Sequence, residues 1–280
     1  MSVAAHDTSS RPTRANVDVF GLTHPGRVRS ANEDQYLVAT LHRTLQVERS
    51  SLPPDQLRTF SSGTRGYLFL VADGVGGLAG GDRASGAAVR TVARYVTGAT
   101  HCFYDVGPGD DQVLLDELRK TVLDAHGLLL EQEAGTATTL TMVFIAWPRA
   151  YLVHVGDSRC YRLRDGKLEL LTTDQTLAQA LVDSGVMSAA EANKTPWKHV
   201  LSSALGGQEA TPATIMSDCH WDDVMLLCTD GLTKHVTDEE IGDALRREQT
   251  SEETCNGLVA LALERGGSDN VTVVVGRLRR

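Results

Sequence analysis

Short apolar runs alternate with turn residues along most of this chain. VDVFGLTH (17–24) and QYLVATLH (35–42) read as strands on either side of a loop. YLFLVA (67–72) is apolar at every position, as a strand buried on both faces would be. Helical spacing follows: Ala84, Ala87, Ala88, Val92, Tyr95 and Val96 share one face over 82–97. Leu114, Leu115, Leu118, Val122 and Leu129 do so over 111–131. TTLTMVFIAW, AYLVHVGD, RCYRLRDG and KLELLT are runs too short for helices. PRA, GDS and RDG turn between them, which predicts an antiparallel meander. DVMLLCTDG (223–231) is a further buried strand. Thr237 and Glu240 are spaced as a capping box that opens a helix over 238–248. A helix at about 252–265 leads into the last strand, NVTVVVGRL.

This order lacks the regular βαβ alternation of a parallel sheet. It predicts an α+β fold: a four-layer α-β-β-α sandwich, with antiparallel sheets inside and helix pairs outside. Residues 1–15 are polar and read as a flexible tail. Residues 43–66, with Pro53 and Pro54 and no clear period, read as an inserted loop. No linker divides the remainder, so 16–280 is expected to be a single domain.

Composition narrows the function. With 280 residues, 41% of them hydrophobic, the chain can bury a large core. A net charge of -9 opposes binding to a phosphate polyanion, so no nucleic-acid partner is expected. The five cysteines are scattered and form no CxxC, which fits small buried side chains in a reducing cytoplasm. No apolar leader opens the sequence, and no run approaches the ~20 residues of a membrane span. His154 reads as a packed residue within a strand. Trp147, Trp197 and Trp221 also read as packing.

The candidate chemistry begins at VADGVGGLAGG (71–81). Gly74, Gly76 and Ala79 satisfy G-x-G-x-x-A after a strand, but residues 83–104 contain no acid for a ribose, and Asp73 would face the pyrophosphate. A carboxylate where a buried strand emerges can instead hold a hard cation, with glycine letting the backbone approach. Asp-Gly is also an ordinary turn, so Asp73 alone decides nothing. Other acids share its setting. Asp230 follows an apolar run in MLLCTDG, and Asp157 follows one in YLVHVGDSR. Asp269 precedes NVTVVV, and Glu33 and Asp34 precede QYLV. Such an oxygen-rich set without nearby His or Cys suits Mg²⁺ or Mn²⁺.

In chain order, RSANED, VADGVGG, GTATTLTMVF, VHVGDSRCYRL, LTTDQTLAQALVDSG, LLCTDGL and GGSDNVTVVV resemble the metal-dependent serine/threonine protein phosphatases, the PPM or type 2C family, and in particular its bacterial branch. The resemblance implies two Mn²⁺ or Mg²⁺ ions and a third, weaker one. Asp73 would bridge the two ions and Gly74 would offer its carbonyl. Asp230 and Asp269 would complete one site. Glu33 would serve the other, with Asp34 holding metal-bound water. Asp157, with Asp230, matches the third site, and Arg29 matches the residue that grips phosphate. Residues 175–208 match a flap beside the metals, and with 43–66 are the candidates for substrate choice. The implied partners are phosphorylated proteins, among them a Ser/Thr kinase and its substrates. Two positions depart from the pattern: Val75, where animal relatives carry a proton-donating His, and Gln175, where His is more usual. The same residues without turnover would make a binding module. An aspartyl-phosphate mechanism would need an Asp-x-Asp that neither Asp-Gly site supplies.

Overall fold

The structure is a computed structural model that describes residues 11–42, 44–45, 60–61, 66–75, 80–98, 110–132, 135–192 and 194–280. Residues 1–10 of the expected tail, most of the 43–66 insertion, Gly76, Ala79 and Cys102 lie outside the described residues.

The strands are β1 (Val17–His24), β2 (Asp34–Leu41), β3 (Thr44–Leu45), β4 (Phe60–Ser61), β5 (Gly66–Val75), β6 (Ala137–Thr138), β7 (Leu140–Ala146), β8 (Arg149–Val155), β9 (Arg159–Arg164), β10 (Lys167–Leu170), β11 (Ala213–Asp218), β12 (Val224–Cys228) and β13 (Val271–Leu278). The helices are α1 (Gly81–Gly98), α2 (Asp111–Gln132), α3 (Leu177–Asp183), α4 (Ala189–Ala192), α5 (Asp230–Thr233), α6 (Asp238–Arg246) and α7 (Ser251–Glu264). One sheet has the order β1-β13-β12-β9-β10 and the other β11-β8-β7-β5-β2, with β6 also on β5. Neighbouring strands pair antiparallel throughout.

Strand periodicity explains the layers. On β5, Leu68, Leu70 and Ala72 pack with Ala84, Ala88 and Val92 of α1 and Leu114, Leu118 and Val122 of α2. Tyr67, Phe69 and Val71 point the other way, onto Leu227 and Val274 of the facing sheet. That sheet's outer face sets Leu226, Val273 and Val275 against Ile241 and Leu245 of α6 and Leu258 and Ala262 of α7. Both faces of the central strands are covered, which is why they read as unbroken apolar runs. The result is the α+β, four-layer α-β-β-α arrangement. The Thr237–Glu240 capping box forms as its spacing predicts, with Glu240 Oε2 accepting from Thr237 N at 3.0 Å.

Four details differ from the sequence reading. Residues 11–15 of the expected tail lead into a 3₁₀ turn, Arg14–Asn16, and Tyr67 donates to the Thr13 carbonyl at 3.3 Å. β5 runs past Asp73 to Val75 because β6 pairs with Gly74 and Val75, so Asp73 lies inside the strand. β11 was not anticipated: it is an edge strand with Ile215 and Met216 exposed, and its sequence carries little core signal. The predicted meander is two hairpins in different sheets, since β8 belongs to one sheet and β9 to the other.

That crossing is made at Gly156, whose φ of +108° lies in the region glycine favours. A Cβ there would meet Thr139 Cβ at 2.7 Å. Gly156→Ala should therefore lose about 1–3 kcal/mol of stability, measured by urea denaturation. Unchanged stability would show that the crossing tolerates a side chain.

Candidate metal centre

The space between the sheets turns from apolar to polar over one residue per strand. Period two carries the inward face of β5 from Val71 to Asp73, and that of β2 from Tyr36 to Asp34. In the facing sheet it carries Leu227 to Thr229 and Val274 to Thr272. Asp34 and Asp73 stand directly opposite each other in the β2–β5 ladder. Asp34 is 1% exposed, and its Oδ2 accepts from Thr229 Oγ1 at 2.8 Å and Thr272 Oγ1 at 2.6 Å. On the β5 side, Thr139 Oγ1 accepts from Asp73 N at 3.0 Å.

The other expected residues arrive from four connections. Arg29 and Glu33 lie between β1 and β2, and Asp157 lies at the sheet crossing. Asp230 opens α5 directly after β12, and Asp269 stands two residues before β13. Arg29, Glu33, Asp73, Gly74, Asp157, Asp230 and Asp269 line one cavity of about 500 Å³. Asp34 does not line it; it is buried beside Asp73. Gly74 is packed so closely that a Cβ would meet the Gly81 carbonyl oxygen at 2.4 Å and that of Glu33 at 2.8 Å. Val75 ends β5 on the cavity wall, where an apolar side chain offers no proton.

Three contributors escaped the sequence reading. Asn270 holds the Arg29–Glu33 loop: its Nδ2 donates to the carbonyls of Pro25 and Ala31 at 2.9 and 2.8 Å, and its Oδ1 accepts from Glu33 N at 2.9 Å. Lys234 Nζ lies 2.5 Å from Asp230 Oδ2 and 2.7 Å from Asp269 Oδ2. The i,i+4 spacing of Asp230 and Lys234 was its available signal. His199, from the 175–208 segment, lines the rim, and burial followed by Lys198 and Lys234 depresses its pKa.

The electrostatics are those of a site short of positive charge. Burial, offset in part by the Thr272 and Thr229 hydroxyls, pushes the Asp34 carboxyl up to about 7. Burial and then Asp230 push Asp157 up to about 7. Burial and then Asp34 push Asp73 well above its ordinary value. Asp269 moves the other way: burial alone would raise it, but Lys234 and Arg29 outweigh that and lower it. Arg29 Nε is 2.8 Å from Asp269 Oδ1. Asp34 Oδ1 and Asp230 Oδ1 are buried without a hydrogen-bond partner. Among the described residues no three His, Cys, Asp or Glu side chains form a closed metal cage. Part of the reason is visible, since Asp230 and Asp269 are turned onto Lys234 and Arg29. Orphaned carboxylate oxygens, raised acids and an all-oxygen donor set fit hard divalent cations.

Fold and site together define a sandwich of two antiparallel sheets with an acidic centre at one end, and the chain belongs to the protein phosphatase 2C family, whose model matches residues 47–260. It is similar to the serine/threonine protein phosphatase PstP of Mycobacterium tuberculosis, at 40% identity over 211 residues, 74% of this chain and 40% of PstP. The chain thus matches well under half of that relative's length. The crystal structure of the M. tuberculosis phosphatase PstP/Ppp aligns with a TM-score of 0.73 and 34% identity over 94% of this chain and 99% of that one. A structure of the catalytic domain of PstP with two manganese ions aligns at TM-score 0.70 and 33% identity, over 94% of this chain and 99% of that chain. No helix among the described residues is long and apolar enough to cross a membrane.

Acids whose pKa is raised by folding hold protons that the unfolded chain has released. In the metal-free protein their stabilisation is complete below the unfolded value of about 3.9 and is lost as pH rises through about 7. Thermal unfolding in EDTA should show Tm falling between about pH 4 and about pH 7 from these groups. Mn²⁺ competes with those protons, so the Tm gained on adding it should grow over the same interval. A gain no larger at the higher pH would contradict this account.

Proposed function

We propose that this chain is a Mg²⁺- or Mn²⁺-dependent protein phosphatase that hydrolyses phosphoserine and phosphothreonine with water activated at two metal ions, opposing a bacterial Ser/Thr kinase in the cytoplasm. The observation that carries this reading is the gathering of buried and half-buried carboxylates around Asp73, beside one arginine, at the mouth of the inter-sheet core. The two manganese ions of the PstP structure support it.

Asp73 sits where Asp34, Asp157, Asp230 and Asp269 all act on its charge, which suits a ligand shared by two ions. Asp230 and Asp269 would complete one site. Glu33 and the carbonyl of Gly74 would complete the other, with Asp34 ordering water. Asp157 with Asp230 would hold a third, weaker ion. When bound, the metals neutralise a phosphate dianion and acidify a water for attack on phosphorus.

This chain's own residues do the rest. Arg29 presents a planar fork that matches two phosphate oxygens, and Asp269 pre-aims it over the cavity. Asn270 fixes the loop that carries Arg29 and Glu33. Thr229 and Thr272 keep Asp34 in place through its Oδ2 and leave Oδ1 open. His199, Val200 and Leu201 bring the 175–208 segment to the rim, where it would choose among phosphoprotein substrates as a flap. The 43–66 insertion is the second candidate for that choice.

Phosphate release from phosphoSer and phosphoThr peptides should require Mn²⁺, cease with EDTA and be abolished in Asp73→Asn, with phosphoTyr peptides poorer substrates. Arg29→Ala should lower kcat/KM by about 10²-fold, with Mn²⁺ binding no weaker than in the wild type, since Arg29 also neutralises Asp269. An absence of Mn²⁺-dependent hydrolysis from every phosphopeptide would leave only a binding module.

A further inference from the structure

We infer that Lys234 is a built-in counter-ion which occupies the carboxylate oxygens of Asp230 and Asp269 in the metal-free protein and is displaced from them as divalent ions bind. This rests on the metal-dependent reading above. Lys234 bridges the two acids with Nζ contacts of 2.5 and 2.7 Å, and its side chain is 25% exposed. The placement is built into the backbone. Lys234 N donates to the Asp230 carbonyl at 2.9 Å, so the short turn of α5 folds the side chain back over the acid four residues earlier. Val236, 2% exposed, anchors the following residues in the core.

One ammonium satisfies one oxygen on each acid and leaves Asp230 Oδ1 buried and unpartnered. At Asp269 both oxygens are already held, Oδ1 by Arg29 and Oδ2 by Lys234 and Arg29, so a divalent ion there must displace a cation; at Asp230 it can use the unpartnered Oδ1 but meets the ammonium on Oδ2. The displaced ammonium has somewhere to go. A second cavity, of about 320 Å³, adjoins on the side of Asp157; Lys234, Asp157 and Thr233 line it together with Lys198 and the Arg159–Asp174 ion pair, so the displaced ammonium stays close to the acids. Even there its positive charge stays within a few ångströms of the site and opposes a cation. Exchange and residual repulsion act in the same direction: Lys234 weakens metal binding and keeps the empty site folded.

Lys234→Gln should tighten Mn²⁺ binding on the order of tenfold, read by isothermal titration of the metal-free protein, and should lower its Tm in EDTA. Lys234→Arg, which keeps the charge, should remain near the wild-type affinity. If Lys234→Gln is too unstable to titrate, its affinity is read from the dependence of Tm on Mn²⁺ concentration. Unchanged or weaker Mn²⁺ binding in Lys234→Gln, with the wild type binding normally, overturns this inference alone. A wild-type protein that binds no Mn²⁺ overturns the metal-dependent reading and this inference with it.

Discussion

Everything near the site depends on one unfavourable confrontation. Asp34, buried, and Asp73, half-buried, stand opposite each other on neighbouring strands, with Asp157, Asp230 and Asp269 acting on Asp73 as well. Like charges in directly opposed strand positions destabilise a sheet, and burial makes each charge costlier. The protein meets this in three ways: threonine hydroxyls from the other sheet donate to Asp34, protons are retained on the raised acids, and Arg29 and Lys234 hold the rim. Each is a partial answer, and the oxygens left without partners are what a divalent ion would satisfy.

The rest of the fold makes that arrangement tolerable. The two outer cores, helices on sheets, are apolar and closely filled. The inner core is apolar through most of its length and changes to Asp, Thr, Ser and His at the end that carries the site. Thr139 bonds Ser158 at 2.9 Å, and Thr141 bonds His154 at 2.9 Å. Burial lowers the His154 pKa to about 4, so it adds no positive charge at neutral pH. Strands thus present Asp34 and Asp73 from rigid positions, while the Arg29–Glu33 loop acquires comparable definition through Asn270.

Much of this was legible in the residues. The helical faces of α1 and α2, the capping box of α6 and the buried runs of β5, β7, β8, β12 and β13 all carry strong periodicity or uniform apolarity. All the acids in the candidate set share one local grammar, an apolar run beside Asp or Glu, and all but Asp34 line one cavity. The failures were non-local. An Asp-Gly that reads as a turn became strand because β6 pairs beyond it. The β8–β9 connection resembles any short turn, but a sterically tight Gly156 sends it to the other sheet. The amphipathic signal of β11 is faint because an edge strand buries little.

The sequence by itself determined most of the strands and helices, the four-layer class, and which acids could serve a metal, because those rest on local periodicity and side-chain chemistry. Only the tertiary structure decided that Asp34 faces Asp73, that Thr229 and Thr272 reach across between sheets, and that Asn270 and Lys234 belong to the site. Apart from the Asp230–Lys234 pair, four residues apart, those relations join residues far apart in the chain. Strand order and register set them, and no local pattern encodes either.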